Sequence, residues 1–219
     1  MPELPPLFLA CVTITVLATI ALLIAESRNE IRGVWLTKPV AALGFLGAAL
    51  AVSAPQTSYG AWILTGLVLS FVGDVLLIPR DSEKTLLAGL VSFLLGHLAY
   101  AVAFGQLGLN MPALLGAALV LALVAAVTLR WLLPHVEGPM RAAVAAYTIV
   151  ITAMVLFAAS AYAETGAASV LIGALLFYVS DLAVARQQFV AKSITNRLWG
   201  LPLYFAGQLV LAASILAIG

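Results

Sequence analysis

The sequence predicts an all-α integral membrane protein, one bundle of eight transmembrane helices, and three observations carry that prediction. Of 219 residues, 64% are hydrophobic and only 9% charged, whereas soluble domains carry roughly 25% charged residues. The apolar residues are gathered into eight runs, each long enough to cross about 30 Å of hydrocarbon, which takes ~20 residues. All ten Lys and Arg fall into four alternate connections between those runs. Mean hydropathy is +1.15, and the runs lack the apolar–polar alternation of a membrane β-barrel, so helices are the reading. A net charge of +1 gives no long-range field and no basic patch for nucleic acid.

The first span, 6–25, follows MPELPP, which has no basic stretch, so it reads as a helix that stays rather than as a cleaved leader. It holds the single cysteine, Cys11, which lacks a polarising base nearby and reads as a small apolar residue. Span two, 36–54, opens at Lys38-Pro39; span three, 59–78, contains Asp74 and stops at Pro79-Arg80-Asp81. Span four, 85–107, carries Phe93, His97, Tyr100 and Phe104 at i, i+4, i+7 and i+11, one helical stripe. Spans five and six are 112–133 and 140–162, with Arg130 and Arg141 flanking the link between them. Span seven, 166–186, contains Asp181, and span eight, 198–218, carries Tyr204 and Gln208 four residues apart. Loops this short leave room for a single membrane domain, 1–219. Tyr59, Tyr147 and Tyr162, with the four tryptophans, read as interfacial anchors.

Basic residues bias a loop toward the cytoplasm. The links between spans one and two, three and four, five and six, and seven and eight are therefore expected to be cytoplasmic, with both termini outside. On this orientation Asp74 lies about 7–8 Å inside Pro79, at 1.5 Å per residue, and Asp181 lies at matching depth, five residues before Arg186. These are the two acidic residues well inside spans. Their surroundings align: 68-VLSFVGDVLL-77 with 175-LLFYVSDLAV-184, and 89-GLVSFLLGHLA-99 with 200-GLPLYFAGQLV-210, at offsets of 107 and 111. The chain therefore reads as two parallel four-span repeats, 1–110 and 111–219, related by an axis along the membrane normal. The repeat pairs Asp74 with Asp181, His97 with Gln208 and Phe93 with Tyr204, and gathers a polar site where spans three, four, seven and eight meet. Ser70 and Tyr178 fall on the faces of the two aspartates, and Gly66, Gly73, Gly89, Gly96, Gly173 and Gly207 suit close helix approach.

An unpaired charge at bilayer depth costs at least ~2.5–3.5 kcal/mol, so intramembrane acids default to a functional reading. Two carboxylates facing one cavity can divide into a proton donor and a base that orients water. The plainer alternative pairs each aspartate with a nearby cation, Lys38, Arg186 or Arg197, as a helix fastener. His97 has no second histidine at ligand spacing, so no metal is expected. Neither a nucleophilic-serine elbow nor a glycine-rich phosphate loop is present, and FVGD departs at Phe71 from the G-x-G-D of intramembrane aspartyl proteases. A proton-coupled transporter or lipid translocator using the same carboxylates is the alternative function. Against it, the spans lack breaks apart from Pro202.

Lys38-Pro39, Gly73-Asp74, 93-FLLGHLAYAVAF-104, Ser180-Asp181 and 204-YFAGQLVL-211, in this order, resemble the YhhN-like lysoplasmalogenase family over nearly the whole chain. The resemblance implies hydrolysis of the vinyl-ether bond of a lysoplasmalogen to a fatty aldehyde and a glycerophospho-base, with no cofactor. It implies Asp74 and Asp181 as the catalytic pair, and His97, Tyr100, Asn196, Tyr204 and Gln208 as substrate-site residues. Lys38, Arg186 and Arg197 are expected to meet the headgroup phosphate at the cytoplasmic mouth, and the chain of the lysolipid is expected to lie among the spans. The alanine-, leucine- and arginine-rich composition points to a bacterial inner membrane.

Overall fold

Burial in this protein departs from that of a soluble domain: many large aliphatic side chains face outward, while hydroxyls and two acids share the interior with the apolar core. Leu119 is 79% exposed and Leu36 71%, whereas Thr15, Ser70 and Gln208 are fully buried. That surface is stable against hydrocarbon, and the chain is an integral multi-pass membrane protein. The computed structural model describes residues 4–80 and 82–218. It consists of eight helices, each long and apolar enough to cross a membrane: α1 (Pro6–Ser27), α2 (Ile31–Ala51), α3 (Ser58–Leu76), α4 (Glu83–Gly105), α5 (Met111–Leu132), α6 (Met140–Thr165), α7 (Ala168–Ala185) and α8 (Ile194–Ile218). Among the described residues there is no strand.

Short-range chemistry sets the helix ends. Thr57, Ser82 and Asn110 accept the amides of Gly60, Thr85 and Ala113 as N-caps. Gly166, with φ of 72°, turns the chain out of α6 in the left-handed conformation. Consecutive helices pair as α1 with α2, α3 with α4, α5 with α6 and α7 with α8, and α4 on α6 and α2 on α8 join the pairs. α5 leans on α6 and on the π-helical turn Arg186–Val190, so most of its surface meets lipid.

Glycines allow the inner pairs to close. A Cβ on Gly96 would lie 3.2 Å from the Gly66 carbonyl, and one on Gly207 would lie 3.2 Å from the Gly173 carbonyl. The same device thus brings α4 against α3 and α8 against α7.

Two helices begin earlier than hydropathy predicts: α2 at Ile31 rather than 36, and α8 at Ile194 rather than 198. Hydropathy reports where hydrocarbon begins, but a helix continues into the interface. Arg197 therefore stands on a helix rather than in a link, and Lys38 lies about two turns inside α2 rather than at its start. Two tyrosines read as interfacial anchors are also interior. Tyr59 is buried with its hydroxyl 2.6 Å from Ser214 Oγ, joining α3 to α8, and Tyr147 faces Asp181. Tyr162 and Trp35, 43% and 46% exposed, do lie on the outer surface.

Candidate active site

A cavity of about 130 Å³ opens at the end of the bundle that carries the basic links, and both Asp74 and Asp181 line it. Each aspartate is met by helices from outside its own pair, and the partners differ in kind.

Asp74 sits in the last turn of α3. The Leu77 and Ile78 amides go to Gly73 and Val75, so the Asp74 carbonyl is one of the groups a helix terminus leaves without an intrahelical donor. Lys38, from α2, fills that place. Its Nζ donates to the Asp74 carbonyl at 3.0 Å and lies 3.1 Å from Oδ1 of the carboxylate. A cation at a helix C-terminus is favoured on electrostatic grounds as well. The other carboxylate oxygen, Oδ2, accepts the Tyr204 hydroxyl at 2.6 Å from α8. Lys38 and Asp74 side chains are only 11% and 3% exposed.

Asp181 has no cation against it among the described residues. Its Oδ2 accepts the Tyr147 hydroxyl at 2.6 Å, from α6, and lies 3.5 Å from His97 Nε2, from α4. The imidazole is fully buried, packed against the Phe177 ring at 4.4 Å between centroids and edge-on to Tyr147 at 5.2 Å. Phe93, Phe177 and Tyr204 pack edge to face with centroids 5.3–6.1 Å apart and form an aromatic wall beside both carboxyl groups.

Of the remaining residues expected at the site, Tyr178 lines the cavity and its buried hydroxyl has no partner among the described residues. Asn196 also lines it, but its polar atoms are engaged. It accepts from Arg186 Nη1 and donates to Gln187 Oε1 and the Ala191 carbonyl, both at 2.8 Å, which holds the turn 186–191 closed. Tyr100 and Gln208 are buried and joined at 2.7 Å, and Ser70 is buried with no hydrogen-bond partner among the described residues. None of these three lines the cavity.

Tyr147 is the residue that sequence reasoning missed. Its depth was readable: six residues past Arg141, about 9 Å along a helix, it is level with Asp181. The apolar part of the cavity, Leu90, Leu132, Val144 and Ile151, belongs to α4, α5 and α6. It lies on the side where α5 and α4 have no extended packing. Among the described residues, no three His, Cys, Asp or Glu side chains converge as a metal site would need.

The sequence profile of the YhhN family matches residues 33–215. Lysoplasmalogenase TMEM86A of Bos taurus is 31% identical over 158 residues, which are 69% of this chain and 64% of that protein. Human lysoplasmalogenase TMEM86B is 33% identical over 171 residues, 78% of this chain and 70% of that protein. For the Rattus norvegicus TMEM86B the identity is 35% over 164 residues, 74% and 65% respectively. The match thus spans just under two thirds of the length of the bovine relative. No solved structure matches the chain.

Proposed function

This chain belongs to the YhhN family, and we propose from that premise that it is a membrane hydrolase cleaving the vinyl-ether bond of a lysoplasmalogen-type lysophospholipid. The observation that carries the reading is one cavity lined by two aspartates that each accept a phenol, only one of which also faces a lysine. A vinyl ether hydrolyses when its β-carbon is protonated, so the reaction calls for a neutral acid and a nearby negative charge.

Asp74 is the anion. Lys38 balances its charge, and Tyr204 donates to its second oxygen, so the carboxylate form is the one its surroundings solvate. Asp181 is the acid. With no cation against it, the neutral carboxyl is the cheaper form at this depth. Tyr147 donating to Oδ2 leaves Oδ1 to carry the proton toward the cavity. His97, with Nε2 3.5 Å from the same Oδ2 and its ring edge-on to Tyr147, packs beside the carboxyl.

The proton of Asp181 passes to the β-carbon, and the C=C electron pair forms that C–H bond. Positive charge develops across the ether carbon and oxygen, where the Asp74 carboxylate stabilises it. Water adds to the ether carbon and its proton returns to Asp181. The resulting hemiacetal collapses with C–O cleavage and proton transfer to the glycerol oxygen, giving aldehyde and glycerophospho-base. No group is consumed beyond water. The cavity, at about 130 Å³, suits the reacting segment rather than a whole lysolipid, whose sites occupy ~300–1,000 Å³ when fully enclosed. The alkyl chain leaves past Leu90, Leu132 and Ile151 toward lipid between α4 and α5.

Purified protein supplied with lysoplasmalogen should release fatty aldehyde, and Asp74→Asn and Asp181→Asn should each lower the rate by about 10²–10⁴. No aldehyde from the wild type, or undiminished release from both variants, refutes the proposal.

A further inference from the structure

A second, polar cleft lies at the same end of the bundle, and it does not belong to the carboxyl cavity although it abuts it. It holds about 610 Å³ and is lined by Arg80, Lys192 and Arg197 against Glu26 and Glu83. Leu77, Gln187, Gln188 and Arg197 line both spaces, so one wall separates the aspartates from the cleft.

Glu26, at the end of α1, has a side chain only 3% exposed, and each of its oxygens meets a different guanidinium. Arg80 Nη2 lies 2.7 Å from Oε2, and Arg197 Nη1 lies 2.6 Å from Oε1. Fastening α1 to a neighbour needs one arginine. Here two guanidinium groups converge on one carboxylate at the edge of the membrane. Arg197, with five N–H donors, donates to Glu26 alone among the described residues. Arg80 adds a 3.4 Å contact to Asn29 Oδ1. The two side chains are 25% and 32% exposed, so their free donors are open to the cleft. The other cations expected to meet a phosphate are engaged elsewhere: Lys38 by Asp74, and Arg186 by Asn196.

We infer that this cleft is a phosphate-ester subsite, with Arg197 and Arg80 as its contacts and Glu26 holding both guanidinium planes in place. Two fixed forks match the oxygens of a phosphodiester in a way a lysine does not. Resting on the hydrolase reading above, the occupant is the headgroup phosphodiester of the lysolipid. Only the three-carbon glycerol separates it from the vinyl ether, which suits two spaces sharing one wall. The headgroup stays at the polar surface while the reacting bond reaches the aspartates.

The test is direct binding by the purified full-length chain in detergent, followed by calorimetry with three probes: glycerophosphocholine, inorganic phosphate and glycerol. Glycerophosphocholine should bind the wild type and equally the Asp74→Asn and Asp181→Asn variants, so a failure of the hydrolysis proposal leaves this result readable. Glycerol should not bind. Arg80→Gln and Arg197→Gln should weaken glycerophosphocholine at least tenfold, the scale of a charge-assisted hydrogen bond. Because either may loosen the bundle, Arg197→Lys serves as a second variant. It keeps the ion pair with Glu26 and should still weaken binding severalfold. In turnover the arginine variants should raise KM more than they lower kcat. Absence of glycerophosphocholine binding by the wild type, unchanged affinity in folded Arg197→Lys and Arg80→Gln, or equal affinity for inorganic phosphate would each overturn the assignment. The last outcome would mark a free-phosphate site instead.

Discussion

Replacing each aspartate by asparagine should have unequal effects on stability, because the two carboxyl groups face different partners. Asp74→Asn removes the counter-charge of a lysine whose side chain is 11% exposed. Breaking a buried pair by deleting one partner costs ~3–5 kcal/mol, most of it the cost of the stranded charge. Asp181→Asn strands no charge. The amide oxygen can still accept the Tyr147 hydroxyl, and the change should stay near the ~0.5–1.5 kcal/mol of one neutral hydrogen bond. Equilibrium unfolding in mixed micelles measures both. Adding Lys38→Met to Asp74→Asn should recover part of the loss, giving a coupling energy of ~0.5–3 kcal/mol in the double-mutant cycle. Recovery would fall short of complete, because Lys38 also satisfies the Asp74 carbonyl at 3.0 Å. Equal losses for the two single variants, or a larger loss for Asp181→Asn, would refute the charge asymmetry and with it the assignment of acid and anion.

Tyr147→Phe removes the hydroxyl that orients Asp181 and should lower kcat up to about tenfold with little change in KM, the worth of one neutral hydrogen bond, in steady-state assays of aldehyde release. Hydrolysis in D₂O should place deuterium on the carbon next to the aldehyde, read by mass spectrometry, since that carbon takes the proton from Asp181. Gly66→Ala would put a Cβ 2.3 Å from Tyr100 Cε1 and should destabilise the bundle by ~1–3 kcal/mol, seen as a lower unfolding midpoint. For orientation, Lys84→Cys should react with an impermeant maleimide only from the cytoplasmic side and Glu164→Cys only from the other, the native Cys11 being buried.

The eight spans were legible because a run of ~20 apolar residues has few other uses. Their ends were less so, and that mattered at two residues. Arg197 looks like a loop cation from hydropathy and Lys38 like one at the opening of its span, yet Arg197 stands on α8 and Lys38 well inside α2, and both pair with buried acids. Glu26 likewise reads as a residue at a span end, while the structure buries it between two arginines. A charge near an interface can turn outward to water or inward to a partner, and only the packing of α1 on α8 decides between them. Asp74 and Asp181 were legible for the opposite reason. Well inside an apolar run, a carboxyl group has no water to turn to, so its position alone announces a partner. The identity of that partner was not readable, since it comes from helices distant in sequence, α2 and α8 for Asp74, α6 and α4 for Asp181.

Lys38 and Tyr147 both lie seven residues after the first residue of their helices, Ile31 in α2 and Met140 in α6, and each reaches the aspartate of the next helix. The frame thus delivers an ammonium and, from α8, a phenol to Asp74, and a phenol without a cation to Asp181. The difference in protonation state that the proposed chemistry needs therefore comes from the lysine that α2 brings to Asp74 and not from burial, since Asp74, the charged one, is the less exposed of the two, 3% against 15%. A phenol can donate to either form of a carboxyl group without neutralising it, which leaves Asp181 able to cycle between acid and base. An ammonium cannot be so indifferent. It ties Asp74 to the charged form throughout, which is what a group stabilising a transient cation must keep.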